Sequence, residues 1–380
     1  MADILDVYKP EFWAQETLLQ LWPRLTMTGL VYRDFDNVVA NSGDTVNTRI
    51  TEKFAADDVN PDNFASQKPK ARNVAVKMDK WKGITFEIGD KDDSMTIKRV
   101  YEEFLPNAGE AMAEDVETSL MGLYGDLYNR LGAPGTALND VAKIGTDVRQ
   151  KFNELMIPRT GRYVGLSAQA DNYFNQVFYQ AYVSGDASQQ NTGELRDKFG
   201  QTYFYADMLP DHTAGTAAGA AAAKINAAVA YSSTAHDAGQ QAVVIKGITQ
   251  GLTLVPGDLI TIKGNPHVIV TGATADAGTL APVTIAPEVP ASGYAVDDPV
   301  VITASHKNCL AFHSQCFALV SRPLRTPGFP GAAVSVMNYN GIGVRAAVWY
   351  SGKDKRSYVS LDMLYGVKTL DARKGFRIIY

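Results

Sequence analysis

His306, Cys309, His313 and Cys316 follow one another at intervals of three, four and three residues. Imidazole and thiolate are the ligand types of a zinc site. On a helix that spacing puts all four side chains on one face. A rise of 1.5 Å per residue, however, spreads them over roughly 15 Å, against ligand–metal distances of about 2.0–2.3 Å. One straight helix cannot gather all four around one ion, and a pair such as Cys309 and His313 would need partners from elsewhere. The expectation is therefore two buried cysteines and core-edge histidines on an amphipathic helix over "SHKNCLAFHSQCFALVSRPL" (305–324), with no structural metal.

Other chemistry-bearing groups lead to the same place. "GDKDDS" (89–94) clusters Asp90, Asp92 and Asp93. A calcium loop that began at Asp90 would need Gly at its sixth position and Glu at its twelfth, where Met95 and Tyr101 stand. Acidic residues ahead of a helix N-terminus are the simpler reading. His267 in "GNPHVIV" reads as a turn histidine at the start of a strand. The chain has no HExxH, no CxxC pair, no GxGxxG after a strand, no Walker loop and no GxSxG. The expectation is no catalytic set, no cofactor and no enzyme.

The elements that would position such residues belong to an ordinary globular chain. It has 380 residues, 46% hydrophobic and 20% charged, enough for two or three domains with a good core. Net charge is −5 with a pI near 5.6, which argues against a nucleic-acid binder, because phosphate contacts need a basic face. "MADILDVYKPEFW" lacks the apolar core of a signal peptide, and no run of 18 apolar residues occurs. Two cysteines are too few for a disulfide framework, so the reading is a protein folded in a reducing cytoplasm.

Along the chain, residues 10–22 pattern as a helix. Val46, Thr48 and Ile50 alternate as a strand. A charged excursion follows, and alternation resumes at Val74, Val76 and Met78, then at Ile84, Phe86 and Ile88. The two arms around a Pro-Asp-Asn tip read as a long hairpin, marginal by itself and in need of a surface to lie on. Ser94 caps an expected long helix reaching about Leu131, with Pro106 as a kink or as its true start. A second helix is expected from about Ala137 to Leu155. A strand and then a helix from near Ser167 follow. "TAGTAAGAAAAKINAAVA", from Thr213, reads as linker or weak helix. From about Gln241 to Thr303, six short apolar runs ("AVVIK", "LTLV", "DLITIK", "HVIVT", "PVTIA" and "PVVITA") read as the strands of a small barrel or sandwich. The tail from Ala346 reads as strands joined by polar turns. The β block thus looks inserted into an α+β domain.

Several of these segments carry a resemblance. "NCLAFHSQCFALVSRPL" resembles the "N-L-x-F-H-x-x-A-F-A-L-x-x-R-P-L" pattern of major capsid proteins of tailed bacteriophages, with Cys316 in place of an alanine. "VYRDFDNVVANSGDTVNTRI", "GITFEIGDKDDSMTIKRV" and "LDMLYGVKTLDARKGFRIIY" resemble that family's N-terminal arm and first strand, its strand into the spine helix, and its C-terminal strands, in the same order. They are spread through the chain outside 213–305, between residues 31 and 380. The resemblance implies the Hong Kong ninety-seven fold, α+β. Its parts would be an N-terminal arm (1–44), an E-loop hairpin (45–88) and a peripheral domain with a spine helix (89–135). An axial domain (136–212 and 306–345) and C-terminal strands (346–380) complete it. An inserted β-barrel (213–305), preceded by "DMLPDHTAGT", resembles the coat proteins of Salmonella-type short-tailed phages.

The implied role is a non-enzymatic coat protein of the virion, assembled in the host bacterial cytoplasm. It would form pentamers and hexamers of itself, with a scaffolding protein, a portal protein and a possible decoration protein as partners. It would enclose double-stranded DNA without sequence-specific binding and without a membrane. The hairpin then gains its supporting surface from a neighbouring copy. Its Lys68, Lys70 and Arg72 oppose Asp57, Asp58 and Asp62 in sign, as candidates for pairing within or between copies. The rival reading is a β-barrel binding module for sugar or protein on an α+β base.

Overall fold

A computed structural model of the protein describes residues 25–33, 45–51, 71–89, 100–136, 138, 141–178, 197–232, 239–326, 332–339 and 342–380. It divides into two compact units. Each unit is built from segments far apart in sequence.

The first unit comprises 1–46, 76–121 and 317–368. Its centre is the fourteen-residue strand Arg356–Thr369. Lys80–Gly89 pairs with this strand antiparallel, Trp81 opposite Leu364 and Ile88 opposite Ser357. Ile342–Ser351 also pairs with it antiparallel, and Ala332–Tyr339 adds outside that. Phe317–Arg322 completes the five-stranded sheet. Val359, Leu361 and Met363 alternate along the central strand and are fully buried, the period-2 pattern of a core face. Tyr365 continues that face, and its hydroxyl donates to Asp115 Oδ2 at 2.6 Å on the helix Val100–Met121. Burial and this carboxylate both raise the Tyr365 pKa, so the phenol stays a donor. On the same helix the buried Glu117 accepts from Met27 N, Thr28 N and Thr28 Oγ1 at 3.1, 3.0 and 2.9 Å, which pins the turn Met27–Gly29. On the sheet, Arg345 grips Asp362 through two nitrogens, Nε at 2.9 Å, and Trp81 Nε1 donates to the same carboxylate.

The second unit comprises 47–75, 122–316 and 369–380. Its first part is a six-stranded mixed sheet in the order Arg130–Gly132, Gly375–Ile379, Asn308–His313, Arg162–Leu166, Gln201–Tyr205, Asp197–Lys198. The helices Val141–Glu154 and Ala168–Phe178 bring Val148, Phe152, Ala170 and Phe174 into one core with Leu166, Ala311, Phe376 and Ile378. Arg162 ties off the end of the first helix, with Nη2 donating to Ile157 O and Asn153 Oδ1, and it stacks on Phe152.

The second part of this unit is all β. One five-stranded sheet runs Thr253–Leu254, Ala273–Asp276, Thr279–Leu280, Ile245–Lys246, Lys224–Ile225. The other runs Val300–Ile302, Leu259–Ile262, Asn265–Thr271, Val283–Ala286, Gln241–Val243. Both feed one core that includes Ile225, Ile245, Ile260, Ile262, Ile269 and Ile285. Leu259 and Val268 point the other way, into a separate cluster with Ile379. Two strands of this sheet are therefore buried on both faces.

Several expectations need correction. The stretch 305–324 is not helical. It forms the strand Asn308–His313, a turn, and the strand Phe317–Arg322, which join different sheets. Every residue of the first strand is buried, so its apolar run carries no period that separates strand from helix. The long helix ends at Met121, ten residues early. A 3-10 turn Gly122–Asp126 and a short strand replace its last turns, where Gly122 and Gly125 weaken helix propagation. The alternating run at 84–88 belongs to the five-stranded sheet. Among the described residues, only Ala71–Lys77 pairs with Thr45–Thr51. The Ala/Gly stretch is not a linker, because Ala217, Ala223 and Ile225 lie in the β core. His267 sits buried inside a strand, not in a turn. The expected helix at 10–22, the Ser94 cap and the acidic cluster at 90–93 lie outside the described residues.

Candidate functional site

Two polypeptide crossings connect the β part to the mixed sheet, at residues 212–213 and 305–306. There His212 and His306 pair as an isolated antiparallel bridge. His212 N donates to His306 O at 2.9 Å, and His306 N donates to His212 O at 3.1 Å. The two imidazoles lie 5.1 Å apart.

A polar network is built on this neck. Asp258, in the turn before Leu259–Ile262, has no exposed surface. Its carboxylate accepts from His212 Nε2 at 2.9 Å, from Gly215 N at 3.2 Å and from Val255 N at 2.8 Å. In the tautomer with Nε2 donating to Asp258, Nδ1 is an acceptor. The Tyr124 hydroxyl, 3.1 Å away, donates to it. Desolvation raises the Tyr124 pKa, with Arg377 opposing, which keeps the proton on the phenol.

Arg377 enters from the mixed sheet and is fully buried. Its guanidinium lies 5.0 Å over the Tyr124 ring. Nη1 donates to Gly257 O at 2.9 Å and Nη2 to Gly125 O at 2.8 Å, while Nε has no partner. Burial lowers its pKa to about 10, so it remains a cation. Gly257 has φ +91°, a conformation that turns its carbonyl to the guanidinium at no side-chain cost, and a Cβ there would stand 3.3 Å from His212 Cε1. Arg130 adds a bond to Thr303 Oγ1 at 2.6 Å. Leu259, Val268, Tyr128 and Ile379 supply the apolar part of the same junction.

The order hydroxyl, imidazole, carboxylate is that of an acid–base triad. Here the hydroxyl lies under an arginine and the carboxylate is spent on two backbone amides. What this arrangement does physically is fix the β part against the mixed sheet at one register and angle. Beside it lies a cavity of about 540 Å³, lined by Gln169, Tyr173, Asp211, His306, Lys307 and Tyr380 among others.

The residues singled out by sequence are not gathered into one site. Cys309 and Cys316 are both buried, and burial raises both thiols. Cys309 Sγ lies 3.9 Å from Ser167 Oγ. His313 Nδ1 accepts from Gln315 N. No group of three His, Cys, Asp or Glu is placed to hold a metal ion among the described residues. Of the hairpin charges, Arg72 is half-buried on its strand, and Asp57, Asp58, Asp62, Lys68 and Lys70 lie outside the described residues. Sequence reasoning missed Tyr124, Asp258 and Arg377 as partners. One signal was there to be read: His212 and His306 flank the β block on either side.

Neither a family model nor a curated protein matches the chain by sequence. Solved structures do match by shape. One from Mycobacterium phage Che8 aligns over 93% of this chain and 90% of its own, with a TM-score of 0.55 at 13% identity. The chain shares that fold. Two further matches have lower scores. The capsid of a native GTA particle aligns at 0.49 and 7% identity, over 94% of this chain and 90% of that one. The capsid of cyanophage P-SCSP1u aligns at 0.48 and 11% identity, over 89% and 84%.

Proposed function

We propose that the chain is a major capsid protein that self-assembles into the icosahedral shell of a double-stranded DNA phage. The observation that carries this reading is the Che8 likeness, which runs nearly end to end through both units. Beside it stand four capsid-like sequence stretches in family order. The role is structural, without catalysis or a cofactor, and the buried polar neck serves to orient the β part within each subunit. The β part corresponds, in this reading, to the inserted domain of Salmonella-type short-tailed phage coat proteins. Shell formation uses many weak contacts summed over a closed lattice of pentamers and hexamers. Scaffolding and portal proteins are the expected partners, with assembly in the host cytoplasm and DNA enclosed without sequence reading.

The test is co-expression with the scaffolding protein of the same genome, then sedimentation and electron microscopy. Closed particles of uniform diameter are expected. A monodisperse monomer without particles under those conditions would refute the proposal.

A further inference from the structure

The neck between the β part and the mixed sheet holds a histidine in an unusual state. His306 is buried, and its Nδ1 donates to Ala304 O at 2.8 Å. Nε2 is then a bare acceptor, and it has no partner. A proton added there would meet a cationic neighbourhood. Arg377 and Arg130 both bear on His306 from the mixed sheet. Lys307 and Asp211 line the same cavity as His306. The carboxylate nearest the network, Asp258, is already engaged by His212, Gly215 and Val255. Tyr124 is occupied with His212 and shielded by Arg377. The acceptors bonded within this network are therefore not free to take an Nε2–H.

We propose that the His212–His306 neck is an acid-sensitive clasp, in which protonation of His306 breaks the paired backbone bonds and frees the β part to pivot on its two crossings. Burial is the main force that holds the His306 pKa down to about 4, with the neighbouring cations adding to it. The sign follows from linkage. The open neck exposes His306 with an ordinary pKa near 6.5, and the closed neck does not bind the proton until about pH 4. The closed form is therefore favoured in full above pH 6.5. Its advantage falls by up to about tenfold per pH unit between 6.5 and 4, and is then constant. The inference concerns one subunit and does not depend on shell formation.

The experiment is hydrogen–deuterium exchange on the full-length subunit between pH 7.5 and 5.0, with rates corrected for intrinsic pH dependence. Peptides that contain the His212 and His306 amides report the neck, and those from Arg162–Leu166 report the mixed sheet. Neck protection is expected to drop several-fold to tenfold per unit below pH 6.5 while the sheet stays level. His306→Gln, which carries no titratable group, is expected to flatten the neck profile. Side-chain NMR of the wild-type histidines, carried down to pH 3.5, gives a check that needs no variant, since the His306 ring in the closed neck should stay neutral well below pH 6.5. Neck and sheet that lose protection together, a His306→Gln profile as steep as wild type, or a His306 ring that titrates near pH 6.5 within the closed neck would each overturn the proposal.

Discussion

Replacing Asp258 is the sharpest test of the polar neck. Its carboxylate is fully buried and satisfies three donors, one imidazole N–H and two backbone N–H groups. Asp258→Ala strands all three. A buried donor left without a partner costs about 1–3 kcal/mol. Allowing for water entry from the adjacent cavity, the expected loss is about 3–6 kcal/mol, at the upper end for a single substitution. Asp258→Asn keeps the shape and one acceptor oxygen but turns an NH₂ toward a donor, so about 1–3 kcal/mol is expected. The choice of probe matters. The four tryptophans are Trp13, Trp22, Trp81 and Trp349, all in segments of the first unit, so tryptophan fluorescence does not report the neck. Urea unfolding followed by far-ultraviolet circular dichroism, with exchange protection of Leu259–Ile262 as the local probe, does report it. An Asp258→Ala loss below about 1 kcal/mol, or equal losses for Ala and Asn, would refute the view that the carboxylate's acceptor capacity holds this junction.

Two further outcomes can be checked on the first unit. Gly366→Ala places a Cβ 2.2 Å from the Lys77 carbonyl oxygen, which is backbone and cannot swing aside, so soluble folded protein is expected to fall sharply at 37 °C. Glu117→Gln puts an amide NH₂ among three donors, and should lower stability by about 1–3 kcal/mol and speed tryptic cleavage at Arg33. Unchanged proteolysis would separate the Met27–Gly29 turn from the helix.

Much of the β part was legible because its runs are short, apolar and set off by turn residues. All six predicted runs contain strands. What misled the reading was burial on both faces. In "NCLAFH" each residue is buried, so no clean alternation remains and the run reads as helix. Alanine and glycine in the 213–230 stretch imitated a linker, because small residues that fill a tight core look the same in composition as residues that fill nothing. The neck was illegible for another reason. Tyr124, His212, Asp258, His306 and Arg377 come from five separate parts of the chain, and only the fold brings them together. A motif search sees spacing along the sequence, and this network has none.

Why the junction is polar at its centre follows from what it must fix. Leu259, Val268, Tyr128 and Ile379 already give the two parts a reason to adhere. Apolar contacts alone are non-directional, and a two-crossing tether against an apolar patch can settle at several angles. The guanidinium of Arg377 removes that freedom, because it takes carbonyls from both sides at once, Gly257 on the β part and Gly125 next to the mixed sheet. Its planar fork bonds both only in one orientation. Asp258 does the same for the incoming strand through Gly215 and for the neck through His212. Each alternative angle would leave a buried cation or carboxylate unsatisfied, at a cost of several kcal/mol. The polar centre therefore adds little to adhesion and a great deal to uniqueness. In the proposed shell that property matters most, since an error of angle within one copy would repeat at every contact it makes.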